Sequence, residues 1–146
     1  MRIKIFTFCF PKLVFKCIYI IKDKNKSMLH KKLEAWKKSV DLSIEIFRVT
    51  EKFPATERYG LCRQMRKCSI SVPSNISEGA ARKSTKELIQ FQYISLASLT
   101  ELETQLIVSE RLGFLLKQDV NLFDEITQIR RLIQSSIRKL EIKVAK

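Results

Sequence analysis

The chain has 146 residues, the length of one domain, with 28 Lys and Arg against 15 Asp and Glu and a net charge of +13. Three Gly and three Pro beside 45% apolar residues exclude a disordered chain, a turn-rich β-sandwich and a collagen-like repeat. One His and four Cys leave little material for metal or catalytic chemistry. The excess of positive charge makes a polyanion, either nucleic acid or an anionic membrane surface, the first partner to consider.

The charge divides unevenly. Residues 1–27 hold seven Lys/Arg and one acid, a net +6, and residues 28–146 hold 21 and 14, a net +7. The opening segment, MRIKIFTFCFPKLVFKCIYIIKDKNKS, is rich in Phe, Ile and Lys and has no helical period. Lys12 and Lys16 break its apolar runs well short of the roughly 20 residues of a membrane span. No small-residue cleavage site follows it. Two units are therefore expected: a poorly structured N-terminal extension, 1–27, and a four-helix domain, 28–146. The leading reading of 1–27 is translated upstream sequence, with Met28 the natural start. A basic interfacial anchor and an ordered extension are the alternatives.

Between residues 28 and 146 the only breakers are Pro54, Gly60, Pro73, Gly79 and Gly113. They leave long segments that suit helices. The first helix is expected from Leu29 to Phe53, with Leu33, Trp36, Val40, Ile44 and Phe47 forming one apolar face. The second begins near Thr56, an expected N-cap, and carries Leu61, Met65, Cys68, Val72 and Ile76 on its inner face. Pro73 sits inside that stripe, removes an N–H and crowds the carbonyl of Ser69. A kink or restart follows, with Ser71, Ser74 or Asn75 satisfying the freed backbone groups and Gly79 closing the segment.

The third helix starts at a capping box, Ser84-Thr85-Lys86-Glu87, in which the Ser84 hydroxyl accepts from a first-turn amide and Glu87 reaches back. It ends at Leu112, with Gly113 as the residue that turns the chain. Leu88, Phe91, Leu99, Leu102 and Leu106 serve one side. Ile89, Tyr93, Leu96 and Ile107 form a second apolar stripe, which points to a subunit interface. The fourth helix, Asp119 to Ala145, places Phe123, Ile126, Ile129, Ile133, Ile137, Leu140 and Val144 in a heptad-like pattern around Arg130. Short connections make the fold all-α: an up-down antiparallel four-helix bundle with its second helix kinked at Pro73.

The residues offer little chemistry. His30 is alone, so a di-iron bundle site fails, and Cys62 and Cys68 lack the spacing of a zinc pair. Cys68 reads as a small core residue and Cys62 as a free thiol beside the core, which fits a reducing cytoplasm. No phosphate-binding glycine loop occurs. No cofactor, no metal and no enzymatic activity are expected. Glu101 and Glu103 face apart at i,i+2. Glu103 is expected either to pair with Arg63 or Arg66 or to stand in solvent. The basic residues Arg63, Arg66, Lys67, Arg82, Lys83, Lys86, Arg130, Arg131, Arg138 and Lys139 form the candidate nucleic-acid surface, the alternative being a solvated helix exterior.

Several motifs carry a family resemblance. They are Leu33-Glu34-Ala35-Trp36-Lys37-Lys38 followed by Phe53-Pro54, Arg58-Tyr59-Gly60-Leu61, Gln64-Met65-Arg66-Lys67, and Ser71-Val72-Pro73-Ser74-Asn75-Ile76-Ser77-Glu78-Gly79. Phe91, Glu101-Leu102-Glu103-Thr104-Gln105-Leu106 and Leu112-Gly113 follow in order. Together they resemble the bacterial four-helix bundle proteins encoded in 23S rRNA intervening sequences, over nearly all of 28–146. Pro73, Asn75, Glu78, Gly79, Glu101, Glu103 and Gln105 are the structural positions of that pattern. The resemblance implies a small basic bundle in a ring-like homopentamer, without established catalytic residues. A related branch, the accessory variability proteins of diversity-generating retroelements, works with a reverse transcriptase and nucleic acid.

The function expected is a non-enzymatic, homo-oligomeric bundle that binds RNA or DNA through a collective basic surface, not a membrane. The alternative is an adaptor that docks an acidic partner such as a polymerase or reverse transcriptase.

Overall fold

The computed structural model describes residues 29–115, 119 and 121–145. Segment 1–27 lies outside them, and with it the expectations about an N-terminal extension and a start at Met28. A short 3₁₀ turn, Leu29–Lys32, leads into four helices: α1 (Glu34–Thr50), α2 (Leu61–Ala81), α3 (Thr85–Arg111) and α4 (Asn121–Val144). No strand occurs among the described residues.

The helices pack as an up-down-up-down bundle. Thr50 at the end of α1 meets Cys62 and Arg66 at the start of α2. Val72 meets Ser95 across α2 and α3. Gln92 meets Ser136, and Tyr93 meets Glu141, across α3 and α4. Lys38 donates to Gln128 to close the ring of helices between α1 and α4. Consecutive helices are thus antiparallel, as short connections require. The core contains Leu42, Ile46, Met65, Val72, Ile76, Leu99, Leu102, Leu106, Ile126, Ile129 and Ile133, all at or near complete burial.

The inner faces of α2 and α4 are the expected ones, with Leu122 added to α4 and Val144 left exposed; on α3, Leu99, Leu102 and Leu106 are buried as expected, but Leu88 and Phe91 are only half-buried. On α1 the expectation fails in part: Trp36 packs against the core, but most of the stripe does not. Its buried residues are Ser39, Leu42, Ser43, Ile46, Val49 and Thr50. Of the expected stripe, Ile44 is 47% and Phe47 36% exposed, and Leu33 is exposed as well. Ser39, Ser43 and Thr50 are small, and each returns its hydroxyl to a carbonyl three or four residues back. They therefore let α1 approach its neighbours without leaving polar groups unpaired.

The termini differ from expectation in instructive ways. α1 stops at Thr50, and Phe53 folds under the turn onto Phe114, with ring centroids 5.4 Å apart. Thr56 is no N-cap: Ala55–Glu57 forms a 3₁₀ turn and α2 begins at Leu61. Ser84 has the extended N-cap backbone of a capping box, yet its side chain makes no cap hydrogen bond. At the far end of α3, Gly113 takes φ +73°. Its N–H donates to Glu110 C=O, and Phe114 N–H donates to Ser109 C=O, both at 2.9 Å. That is the paired bonding of a Schellman motif, as the glycine predicted.

α2 runs unbroken through Pro73 and does not restart. The proline cannot donate to Ser69 C=O. The Ser43 hydroxyl of α1 lies 2.8 Å from that carbonyl and supplies the missing donor. The expected donors act elsewhere: Ser74 bonds to Ile70 C=O, and Asn75 bonds to Ser71 C=O at 2.8 Å and to its hydroxyl at 3.0 Å. Gly79 does not end the helix, which continues to Ala81. A Cβ at Gly79 would lie 2.8 Å from the Phe91 Cβ, so this glycine sets how closely α2 and α3 approach.

Candidate nucleic-acid interface

The ten expected basic residues do not form one patch. Three have partners of their own, Arg66 and Arg130 between helices and Arg82 on the surface. Arg66 turns towards α1, donating from Nε to the Thr50 hydroxyl at 2.8 Å and from Nη2 to Phe47 C=O at 3.4 Å. Its guanidinium lies 4.8 Å from the Phe47 ring centroid. There it meets carbonyls at the negative end of α1. Arg82 folds back on Glu78 and stands over Phe91. Arg130, half-buried on α4, donates to Glu103 from Nη2 at 2.6 Å and from Nη1 at 3.3 Å.

The last pair corrects the expectation for Glu103. Its partner is on α4, not Arg63 or Arg66 on α2. Glu101 does face apart from it, towards α2, where Gln105 donates to Glu101 at 3.3 Å and approaches the Cys68 sulfur at 3.6 Å. Burial first, and then the Glu101 carboxylate, push the Cys68 thiol up to about 11. Cys62 is buried too, against the expectation of a thiol beside the core, and burial raises its pKa. Both thiols are free.

Of the remaining candidates, Arg138 donates at 3.4 Å to the carbonyl of Gln134, one turn back on its own helix. Arg63, Lys67, Lys83, Lys86, Arg131 and Lys139 are exposed, and none forms an ion pair among the described residues. Arg63 and Lys67 lie near the start of α2, and Lys83 and Lys86 lie beyond its end. The 21 residues of α2 hold these pairs about 30 Å apart.

The sequence pattern hid a feature of the bundle wall. Val40, Ser43, Ile44, Phe47, Ile70 and Pro73 line an open groove of about 360 Å³ between α1 and α2. Val40, Ile44 and Phe47 of the displaced α1 stripe form half of its lining. On α3, Tyr93 and Ile107 of the expected second stripe are exposed, while Ile89 and Leu96 pack on the core. Ile94, Val108 and Leu112 make a separate exposed line on that helix. The signal was present in the sequence: α1 has two apolar stripes, Val40/Ile44/Phe47 and Leu42/Ile46/Val49, and only one can face the core.

Among the described residues no three His, Cys, Asp or Glu cluster as metal ligands. No described helix is long and apolar enough to cross a membrane.

The family profile of the 23S rRNA-intervening sequence proteins matches residues 31–135. The fold is similar to the crystal structure of a protein of unknown function from the S23 ribosomal protein family of Bacteroides thetaiotaomicron VPI-5482. The TM-score is 0.66 at 21% identity, over 71% of this chain and 95% of that one. No curated protein matches the sequence.

Proposed function

This chain belongs to the 23S rRNA-intervening sequence protein family, and we propose that it is a non-enzymatic, homo-oligomeric, cytoplasmic bundle that binds RNA or DNA through exposed lysines and arginines. The observation that carries the binding is that six of the ten candidate cations, Arg63, Lys67, Lys83, Lys86, Arg131 and Lys139, stand exposed without an ion pair among the described residues. Each can meet a phosphate without disturbing an interaction that holds the bundle together. Arg66 and Arg130 cannot, and Arg82 is already paired with Glu78 on the surface, so all three leave the binding set.

Oligomerisation draws support from the two exposed apolar surfaces. The α1–α2 groove is concave, and the Ile94/Val108/Leu112 line stands on a different helix. Two unlike surfaces suit head-to-tail association of copies, which closes into a ring when the rotation permits. A pentamer, as the family resemblance implies, multiplies the +7 of residues 28–146 to about +35, a far stronger field than one copy has.

The test is light scattering of the purified full chain with and without nuclease, followed by titration with a ribosomal RNA fragment and a DNA duplex across a salt series. An oligomer whose affinity falls steeply with salt supports the reading. A monomer, or the absence of salt-sensitive binding to either probe, overturns it.

A further inference from the structure

The topology sorts the charge along the bundle axis. The start of α1, the α2–α3 turn and the end of α4 share one end of the bundle. The α1–α2 turn, the end of α3 and the start of α4 share the other. With each helix divided at its middle, the α2–α3 end holds ten Lys/Arg and five Asp/Glu among the described residues, a net +5. Among the described residues the opposite end holds nine of each, a net charge of zero.

The ion pairs leave this asymmetry unchanged, since each removes one cation and one acid. At the α2–α3 end, Lys37 is paired with Glu34 and Arg82 with Glu78. Lys31, Lys32, Lys83, Lys86, Lys139 and Lys143 stand exposed there without an ion pair. Of the acids at that end, Glu34 and Glu78 are offset by their partners, while Asp41, Glu87 and Glu141 keep their charge, Glu141 accepting from Tyr93. At the opposite end Glu51, Glu57, Glu110 and Asp124 are interspersed with the cations and cancel their field beyond a Debye length.

We propose that nucleic acid binds chiefly at this α2–α3 end, with its phosphates on Lys83, Lys86, Lys139 and Lys143. The inference rests on the nucleic-acid reading above and gives it a location. The partner is a chain of phosphodiesters and not a single small anion. The lysines stand on separate helices and make no closed cradle, so each meets its own phosphate. The placement agrees with side-by-side assembly. The apolar groove and the Ile94/Val108/Leu112 line lie on the bundle wall, so association of copies leaves the ends free. With the bundle axes along the ring axis, rotational symmetry puts every cationic end on the same face of the ring.

The test compares two quadruple variants of the full chain with equal loss of charge. One carries Lys83→Gln, Lys86→Gln, Lys139→Gln and Lys143→Gln. The other carries Arg48→Gln, Lys52→Gln, Arg58→Gln and Arg111→Gln, four exposed cations of the opposite end that lie outside the binding set. All eight positions are exposed, and Gln is a good helix former, so circular dichroism should show both sets folded. The probes are a ribosomal RNA fragment, a DNA duplex and polyglutamate, each titrated over a salt series. The first variant is expected to bind RNA or DNA at least about 10-fold more weakly, with a salt slope flatter by about one for each phosphate it no longer neutralises. The second is expected to change affinity less than about three-fold. Equal weakening in the two variants, or a larger effect in the second, overturns the location while the nucleic-acid reading stands. Equal affinity for polyglutamate and RNA overturns a nucleic-acid partner in favour of an acidic protein. Wild-type protein that binds neither nucleic acid overturns both readings.

Discussion

Ser43 and Pro73 make a reciprocal pair, and a double-mutant cycle tests it. Pro73 deprives Ser69 C=O of its intrahelical donor. Ser69 is 1% exposed, so water cannot replace that donor, and the Ser43 hydroxyl stands 2.8 Å away. Leaving a buried carbonyl bare costs about 1–3 kcal/mol. The same hydroxyl also lies 2.8 Å from Ser39 C=O, which already accepts the helical N–H of residue 43, so removing it there costs little. Ser43→Ala in the natural background should therefore destabilise by about 1–2 kcal/mol. With Pro73→Ala the chain regains an N–H at 73 aimed at Ser69 C=O. Ser43→Ala should then cost no more than about 0.5 kcal/mol, a coupling of roughly 1 kcal/mol. The measurement is urea unfolding followed by far-ultraviolet circular dichroism, at one protein concentration so that assembly contributes equally. Equal costs in the two backgrounds would show that Ser43 does not stand in for the missing amide.

Gly79→Ala should destabilise by about 1–3 kcal/mol, because the new methyl meets the Phe91 Cβ, which cannot rotate away; thermal unfolding measures it. Gly113→Ala should cost about 1 kcal/mol in the same assay, since φ +73° is strained for any residue with a Cβ. Glu125 has its pKa raised by burial first and then by the Glu45 charge, so the folded state disfavours its ionised form. Glu125→Gln should therefore stabilise the protein at neutral pH. The gain should fade as pH falls through the raised folded value and vanish below the ordinary unfolded value; urea midpoints from pH 7 to 3 follow it. Cys62 and Cys68 are buried with raised pKa values, so iodoacetamide at pH 8 should label neither until urea unfolds the chain; mass spectrometry reads the labelling.

The sequence was most legible where one local rule had no rival. Gly113 needed no tertiary information, because a glycine after an apolar helical run has a single economical use. The inner faces of α2 and α4 each had one stripe, so period alone assigned them. The capping box at Ser84 was legible only in part: the spacing marked the helix start, but the cap hydrogen bond does not form. The basic residues were legible as a set but not as a site. Whether an arginine is free depends on what stands across from it, and Arg66, Arg82 and Arg130 find their partners at Thr50, Glu78 and Glu103. Of these, only Glu78 lies on the same helical run, four residues away.

The inversion of α1 shows why the rest was hidden. Val40/Ile44/Phe47 and Leu42/Ile46/Val49 have the same helical period, and the first set is the bulkier and reads more strongly. The structure buries the second because the residues flanking it, Ser39, Ser43 and Thr50, are small and can bond their own backbone. Those serines look polar in a hydropathy pattern and turn the apparent apolar face the wrong way. Ser43 is also required inward by Ser69 C=O, a demand created 30 residues later by Pro73. The orientation of the first helix is therefore set by a proline in the second. One consequence reaches function: with Ser43 turned inward, Ile44 and Phe47 are left on the wall, where they line the groove that a second copy can cover. Ile44→Asp should accordingly leave the fold intact and shift the oligomer towards monomer in light scattering. An unchanged oligomer would remove this groove from the interface.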